Sequence, residues 1–545
     1  MRMKKIFLFT SALLASATMM AQLVGWSAVE VSNETAAGTS TINHLYTNEQ
    51  GDVFFLGNSA SNGKKSTISF DGITLDAAPY RVVMSRTNTN IVFGKLSGKD
   101  ASTQWFGASD RGAFTSYVAT PTADGKFVMA VTANHTDSNY LADDQVMGFN
   151  MQMTGGATAS GSLEAEYAPI VSGKSTKLVQ FGSIVEVSDK GFAFVQDFDQ
   201  MTGQNAGFTF ADIVTDGTNF YVLTILKPGI VVGEKDTIKA NVAAGSAAIL
   251  KFNDKWQLVG SIVSAGIADN STMQVLKYTD GKLYYACTLK GTADKQFVLG
   301  DKSVTTTANS GLAVATLSTD LQCESLAWTA ETCAAAGVKT GSISVYDGYF
   351  QGTDAYLTGS FMGGILVEEN DTLTAAKSTA FVTKVDLTTG KSVKTVALSE
   401  GSTQGRSFIA HNDSLYVYAY DYTVSDGRIA LYGFDNQLNM GDTIRLVNAQ
   451  AQETAWSAVL TNKGKLAYAT RTRESISFSV APEEKYTAQG NAFRGVLAVQ
   501  QLFENPEQAI DNTFAPAQKA EKFIRNGQLY IRRGEHIFNA LGQQL

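Results

Sequence analysis

Seven times along the chain a tight turn leads into a short aromatic-rich strand: GDVFFLGN from Gly51, GKFVMAVT from Gly125, GTNFYVLT from Gly217, GKLYYACT from Gly281, GTDAYLTG from Gly352, NDSLYVYA from Asn412 and GKLAYAT from Gly464. An aromatic falls three or four places after most of these anchors, at Phe54, Tyr221, Tyr284, Tyr356, Tyr416 and Tyr468. A second strand recurs later in each unit: NIVFGKLSG from Asn90, QVMGFNMQM from Gln145, AAILKFND from Ala247, GLAVATLS from Gly311, TAFVTKVD from Thr379, GRIALYGFD from Gly427 and RGVLAVQQL from Arg494. Apolar residues alternate with small or polar ones and a turn residue ends each run, which is the pattern of strands.

A sheet of three or four strands cannot bury both faces by itself, so such units must stack on their neighbours. Arranged radially they close a ring. The expected fold class is therefore all-β, a β-propeller of seven blades with six to eight as the bracket, preceded by a signal peptide and followed by a short C-terminal β segment. An open β-solenoid is the alternative, although its repeats are usually shorter and more regular. Two stretches interrupt the pattern. Ile184 to Phe198 reads as an eighth blade or an insertion, and Trp328 to Gly337, with its Ala and Glu and a closing Gly, reads as one short helix between blades.

Composition agrees with strands and tight turns. Of 545 residues, 49 are Gly and only 7 are Pro, and charged residues are 17%, below the usual quarter or so. The net charge is -8, and Lys and Arg cluster only in the first five residues. Nucleic acid is excluded as a partner on this ground, because phosphate binding needs clustered cationic charge. No cofactor is expected.

The first 21 residues have the form of a secretory signal peptide. Arg2, Lys4 and Lys5 precede an apolar run from Ile6 to Leu14, and small residues lead to a cut between Ala21 and Gln22, with a cut after Ala17 as the competitor. No later stretch reaches the apolar length of a membrane helix, so no transmembrane helix is expected. Cys287, Cys323 and Cys333 are too few and too irregular for a disulfide framework or a metal site. A Cys323–Cys333 bridge and buried free thiols are both open. The domain reading is signal peptide 1–21, propeller 22–503, a Pro-, Glu- and Gln-bearing linker 504–522, and a C-terminal strand pair 523–545 with turn signals at Asn526-Gly527 and Arg533-Gly534.

GTDAYLTGSF followed by STAFVTKVDLTTGK resembles the bacterial β-propeller repeat, whose units carry a D-x-x-G-x-Y-V-T-G strand and an A-F-V-x-K-x-D-x-x-G strand. The copy at Gly352 is the closest match and those at Gly217 and Gly281 follow. The resemblance implies a propeller and no activity. The ending FIRNGQLYIRRGEHIFNALGQQL resembles the C-terminal sorting tails of type IX secretion cargo, which implies Sec export and then passage across the outer membrane. Asp-Ser/Thr-apolar triplets resemble the O-glycosylation motif of such bacteria and offer Thr237, Thr372, Ser414 and Thr443 as acceptors.

Chemistry is sparse. His44, His135, His411 and His536 are isolated in sequence and read as packed or surface residues. Asp197 and Asp199 begin like a calcium loop but lack its later ligands. Glu368-Glu369 and Asp143-Asp144 read as turn residues, since a glycosidase pair would have to converge from separate blades. In LYVYAYDYT, the side chains of Tyr416, Tyr418, Tyr420 and Tyr422 share one strand face. That stripe either fills the gap between two blades or offers a ligand a stacking surface, with Tyr422 nearest a rim. No catalytic and no metal-binding residue is expected. The functional expectation is an exported, non-catalytic binding or scaffold module at the outer-membrane surface or outside the cell, with the periplasm as the alternative address. Its partners would be an unknown glycan or protein ligand, together with the export machinery. A glycan-acting enzyme and a structural adhesin-like protein are the competing readings.

Overall fold

The computed structural model describes residues 22–33, 38–61, 66–77, 88–110, 113–136, 150–154, 178–201, 207–233, 236–269, 274–290, 294–333, 341–368, 371–399, 401–425, 428–449, 454–490, 492–503, 521–525, 528–533 and 536–539. Among them there is no helix, and hence none long and apolar enough to cross a membrane. The expected cleavage site at Ala21 and the greater part of the linker lie outside the described residues, as do Asp143 and Asp144.

Seven four-stranded antiparallel sheets make up the body of the described residues. Their innermost strands are Thr39–Thr47, Ala113–Pro121, Gly207–Thr215, Gln274–Thr279, Ser342–Gln351, Thr403–His411 and Thr454–Leu460, here blades 1 to 7. Each innermost strand packs against the next, and that of blade 7 packs against that of blade 1, so the series closes on itself. This is a β-propeller.

All seven anchors read from the sequence are turns between the first and second strands of a blade. Gly51, Gly125, Gly217, Gly281, Gly352 and Gly464 have φ between 59° and 90°, and Asn412 has φ 52°. That left-handed region is open to Gly and tolerated by Asn, which explains why these residue types recur there. The later strands from Asn90, Ala247, Gly311, Thr379, Gly427 and Arg494 contribute the third strand of their blades.

Three expectations are corrected. Ile184 to Phe198 is neither an eighth blade nor an insertion: Leu178–Ser188 and Gly191–Gln200 are the third and fourth strands of blade 2. The described part of the Gln145 segment, Asn150–Met153, is an added strand on the outer edge of blade 1, paired with Thr103–Asp110. Trp328 to Gly337 begins as strand, not helix, because Cys323–Thr329 is the outer strand of blade 4 and Thr332–Cys333 pairs onward with blade 5. Pairing with a finished neighbour outweighs the modest helix preference of Ala and Glu.

Closure uses the chain's beginning. Gln22–Asn33 runs antiparallel to Arg494–Gln501 and supplies the fourth strand of blade 7, joining the two ends of the ring. Arg494, 1% exposed, locks this junction. Its Nε donates to Glu30 at 2.8 Å, while its Nη atoms donate to the carbonyls of Gly38, Val31 and Phe493.

A second device repeats around the rim. In six blades the connection from the second to the third strand carries an extension that reaches back to the preceding blade. Ser66–Phe70 and Ile73–Ala77 extend blade 7 through Gln22–Asn33. Asn150–Met153 does the same for blade 1, and Gly229–Val232 with Asp236–Lys239 for blade 2. Gln296–Leu299 and Lys302–Thr305 bridge to Ala265, just past the outer strand of blade 3. The long arms of blade 5 take up Thr332–Cys333. Ser475–Phe478 and Ala481–Thr487 pair with Val447–Ala449 in a small eighth sheet that supplies no innermost strand. The extensions of blades 1, 2 and 3 cover part of the outer edge of the preceding blade, an edge otherwise open to foreign pairing.

Apolar residues fill the gaps between neighbouring blades. Tyr356 packs with Leu415 and Val417 between blades 5 and 6, whereas Phe381, on the opposite face of blade 5, packs with Val314 of blade 4. The tail forms a separate three-stranded sheet, Glu521–Arg525, Gln528–Arg533 and His536–Asn539, where a strand pair was expected.

Candidate functional site at the ring axis

The first strands of six blades carry a β-bulge, which turns one side chain toward the adjoining blade. The result is a closed series of side-chain to backbone hydrogen bonds. Tyr46 Oη accepts from Ala119 N–H, Ser116 Oγ from Phe210 N–H, Asp212 from Leu276 N–H and Thr288 Oγ1 from Val345 N–H. Asp347 then accepts from Phe408 N–H, Ser407 from Ala458 N–H and Ser457 from Leu45 N–H. All seven junctions are spanned, at 2.8 to 3.1 Å. Each such bond satisfies a backbone amide on the innermost strand of the next blade.

Three of the groups that gather here are charged. Lys277 of blade 4 lies 2.9 Å from Asp347 of blade 5 and also faces Asp212 of blade 3. Burial pulls the Lys277 ammonium down, but the attraction of Asp347 and Asp212 outweighs it and holds the group above its ordinary range. Burial pushes Asp212 up to about 6 despite the opposing pull of Lys277. Burial and the charge of Lys277 together push His44 down to about 4, so its imidazole is neutral at physiological pH. Beside it Asn58 and Tyr117 both bond to Asn43 Oδ1, and burial pushes Tyr117 up to about 12.

Asp212 and Asp347 thus have two tasks each, an amide of the next blade and a share of Lys277. That arrangement holds blades together and leaves neither carboxylate disposed as a free general acid or nucleophile. Sequence reasoning missed His44, Asp212, Lys277 and Asp347 as a group. One signal was present: Asp212 and Asp347 each stand five residues before their Gly anchors, Gly217 and Gly352.

The tyrosine stripe divides. Tyr418 is fully buried, bonding through its hydroxyl to Ala469 O of blade 7 at 2.9 Å, and Tyr420 is 7% exposed in the same inter-blade core. Tyr416 is half-buried against Phe503. Tyr422, past the end of its strand, is 41% exposed and stands edge-on to Tyr420. Of the glycosylation-type residues, Thr237, Thr372 and Thr443 are exposed and Ser414 is half-buried. Thr237 and Thr372 both lie on the returning arm of a rim extension.

The three cysteines are free thiols. Cys323 donates to Ser325 O at 3.4 Å and Cys333 contacts Thr372, so the two face different partners. Asp197 and Asp199 lie within a strand rather than in a turn, with Asp197 accepting from Ser183 Oγ. Burial pushes both upward, and for Asp199 the neighbouring carboxylate adds to it. Among the described residues no group of three or more His, Cys, Asp or Glu could hold a metal. His411 stacks on Phe503 with centroids 3.9 Å apart.

No known sequence family matches the chain, and no curated protein does. Solved structures similar to it include the β-propeller domain of the Trilobed protease from Pyrococcus furiosus, with TM-score 0.38, 8% identity, and 88% of this chain and 98% of that one covered. Another is an acylaminoacyl peptidase of Pyrococcus horikoshii, with TM-score 0.38 and 9% identity, covering 92% of this chain and 57% of the peptidase. A third is the subtype N10 neuraminidase-like protein of A/little yellow-shouldered bat/Guatemala/060/2010, with TM-score 0.33, 8% identity, and 88% and 99% covered.

Proposed function

We propose that the protein is an exported, non-catalytic β-propeller that binds a glycan or protein ligand at the cell surface or outside the cell. The observation that carries this reading is the commitment of the axial carboxylates: Asp212 and Asp347 each accept an amide of the following blade and share Lys277. Charged groups that would serve an enzyme at the axis serve here as fastenings.

Export is supported by the ends of the chain. Gln22–Asn33 pairs with Arg494–Gln501 from Gln22 onward, so a cut before Gln22 keeps every strand pairing described for blade 7. The tail's resemblance to type IX sorting segments and the exposed Thr237, Thr372 and Thr443 fit the same address.

The test is an array of glycans and host proteins probed with the purified chain from Gln22 onward. Saturable binding with the ligand recovered unchanged is the expected result. Depletion of a ligand into products overturns the non-catalytic reading.

A further inference from the structure

At the end of the ring opposite the anchor turns, where blades 5, 6 and 7 meet, three arginines share a set of aromatic rings. The Arg406 guanidinium lies 4.7 Å from the ring centre of Tyr346 and 5.2 Å from that of Trp456. Arg471 lies 5.6 Å from Trp456 and 4.1 Å from Phe493, and Arg473 lies 4.2 Å from Phe493. Trp456 thus joins Arg406 to Arg471, and Phe493 joins Arg471 to Arg473.

The strands fix these positions. Arg406 and Trp456 stand on the innermost strands of blades 6 and 7, and Arg471 is on the second strand of blade 7 with Arg473 just beyond it. Rings cover the guanidinium faces and orient the groups through cation–π attraction. Among the described residues no counter-charge accompanies them. None of the three takes part in an ion pair among the described residues, whereas Arg494 pairs with Glu30.

Hydrogen bonding is deficient too. The Nε atoms of Arg406, Arg471 and Arg473 and the indole nitrogen of Trp456 are buried without a hydrogen-bond partner. The Arg406 side chain donates to Gln404, whereas the side chains of Arg471 and Arg473 have no hydrogen bond among the described residues. Burial and the neighbouring Arg473 charge pull the Arg471 guanidinium down from its ordinary range. Three partly desolvated like charges held together are unfavourable unless something negative joins them. In a chain of net charge -8, three arginines gathered with no carboxylate partner among the described residues distinguish this site.

We propose that Arg406, Arg471 and Arg473 form a binding site for an oxyanion group of a ligand, a carboxylate, sulfate or phosphate, at the blade 6–7 end of the axis. Guanidinium edges match the paired oxygens of such groups, and rings over the faces leave the edges as the available recognition surface. Tyr422, exposed beside Tyr420, flanks the site and would meet the uncharged body of the ligand. The inference rests on the binding-module reading and adds the chemistry of the ligand.

The test is isothermal titration of the chain from Gln22 onward with sodium sulfate, sodium phosphate and sodium glucuronate, against sodium chloride at matched ionic strength and neutral glucose. Saturable binding of at least one oxyanion above both controls is expected, and the tightest of the three identifies the group. Arg471→Met and Arg473→Met should each weaken that binding at least tenfold. Arg473→Lys, which keeps the charge, is the second variant where a Met substitution fails to fold, and it should weaken binding less than tenfold but measurably. Absence of binding by all three anions, or unchanged affinity in a folded variant, overturns the proposal. Array binding of neutral ligands alone would overturn the oxyanion site while leaving the binding-module reading standing, so the two fail separately.

Discussion

Asp269 offers a sharp test of the packing between blades 3 and 4. It is 1% exposed and accepts hydrogen bonds from Gln274 Nε2 at 2.7 Å and from the Tyr285 hydroxyl. Burial pushes its carboxyl from 3.8 up to about 6, against the pull of those donors. The folded state therefore holds a proton there that the unfolded chain releases near pH 4. The contribution to stability is fully present below the unfolded value and is lost as pH rises through about 6. A shift of roughly two units at 1.36 kcal/mol each corresponds to about 3 kcal/mol in full, of which about 2.4 falls between pH 4 and pH 7.5, because the unfolded carboxyl is already half ionised at the lower pH. Asp269→Asn keeps the shape and a hydrogen-bonding pair without the charge. The assay is urea unfolding of both proteins across that range, in which Asp212 titrates equally and cancels from the difference. The variant should gain about 2.4 kcal/mol on the wild type on going from pH 4 to pH 7.5. Parallel curves, with a difference independent of pH, would refute the reasoning.

Arg494→Met should destabilise the ring by about 3 kcal/mol in urea unfolding, since it strands Glu30 and three carbonyls at the closure. A cost below about 1 kcal/mol would deny Arg494 that role. Tyr418→Ala should cost about 3 to 5 kcal/mol, and Tyr422→Ala less than about 1, because only the first is buried between blades. Equal costs would contradict their placement. Gly359→Ala should lower Tm by more than Gly125→Ala in calorimetry. A methyl at Gly359 would lie 1.8 Å from Ser344 O, whereas at Gly125, φ 83°, it meets nothing within 4 Å and only the left-handed strain of about 1 kcal/mol remains.

The anchors were legible because a left-handed turn restricts residue type, so Gly or Asn recurs wherever a first strand folds back into a second. The strand order within blade 2 was not, because its second-to-third connection is long and displaced the expected third strand to Gln145. The rim extensions left a partial trace. TISFDGITLDA, IVVGEKDTIKA, FVLGDKSVTTTA and ILVEENDTLTAA share an apolar arm, a polar turn and a Thr-bearing returning arm. The ties between blades escaped for a different reason. Their oxygens come from Tyr, Ser, Asp and Thr, so the position repeats while the residue type does not. Similarly, Arg406 stands far in sequence from Arg471 and Arg473, and only the meeting of blades 6 and 7 brings Arg406 and Arg471 to the shared ring of Trp456.

A ring of seven sheets closed by its own first strand is the claim on which the rest depends, and thermal unfolding of two chains tests it most directly. One begins at Gln22 and the other at residue 34, which lacks Gln22–Asn33 and so the fourth strand of blade 7. The shorter chain should lose its cooperative transition or melt well below the longer one, and a synthetic peptide of residues 22–33 should restore part of the difference. Identical melting of the two chains, unaffected by the peptide, would contradict the closure.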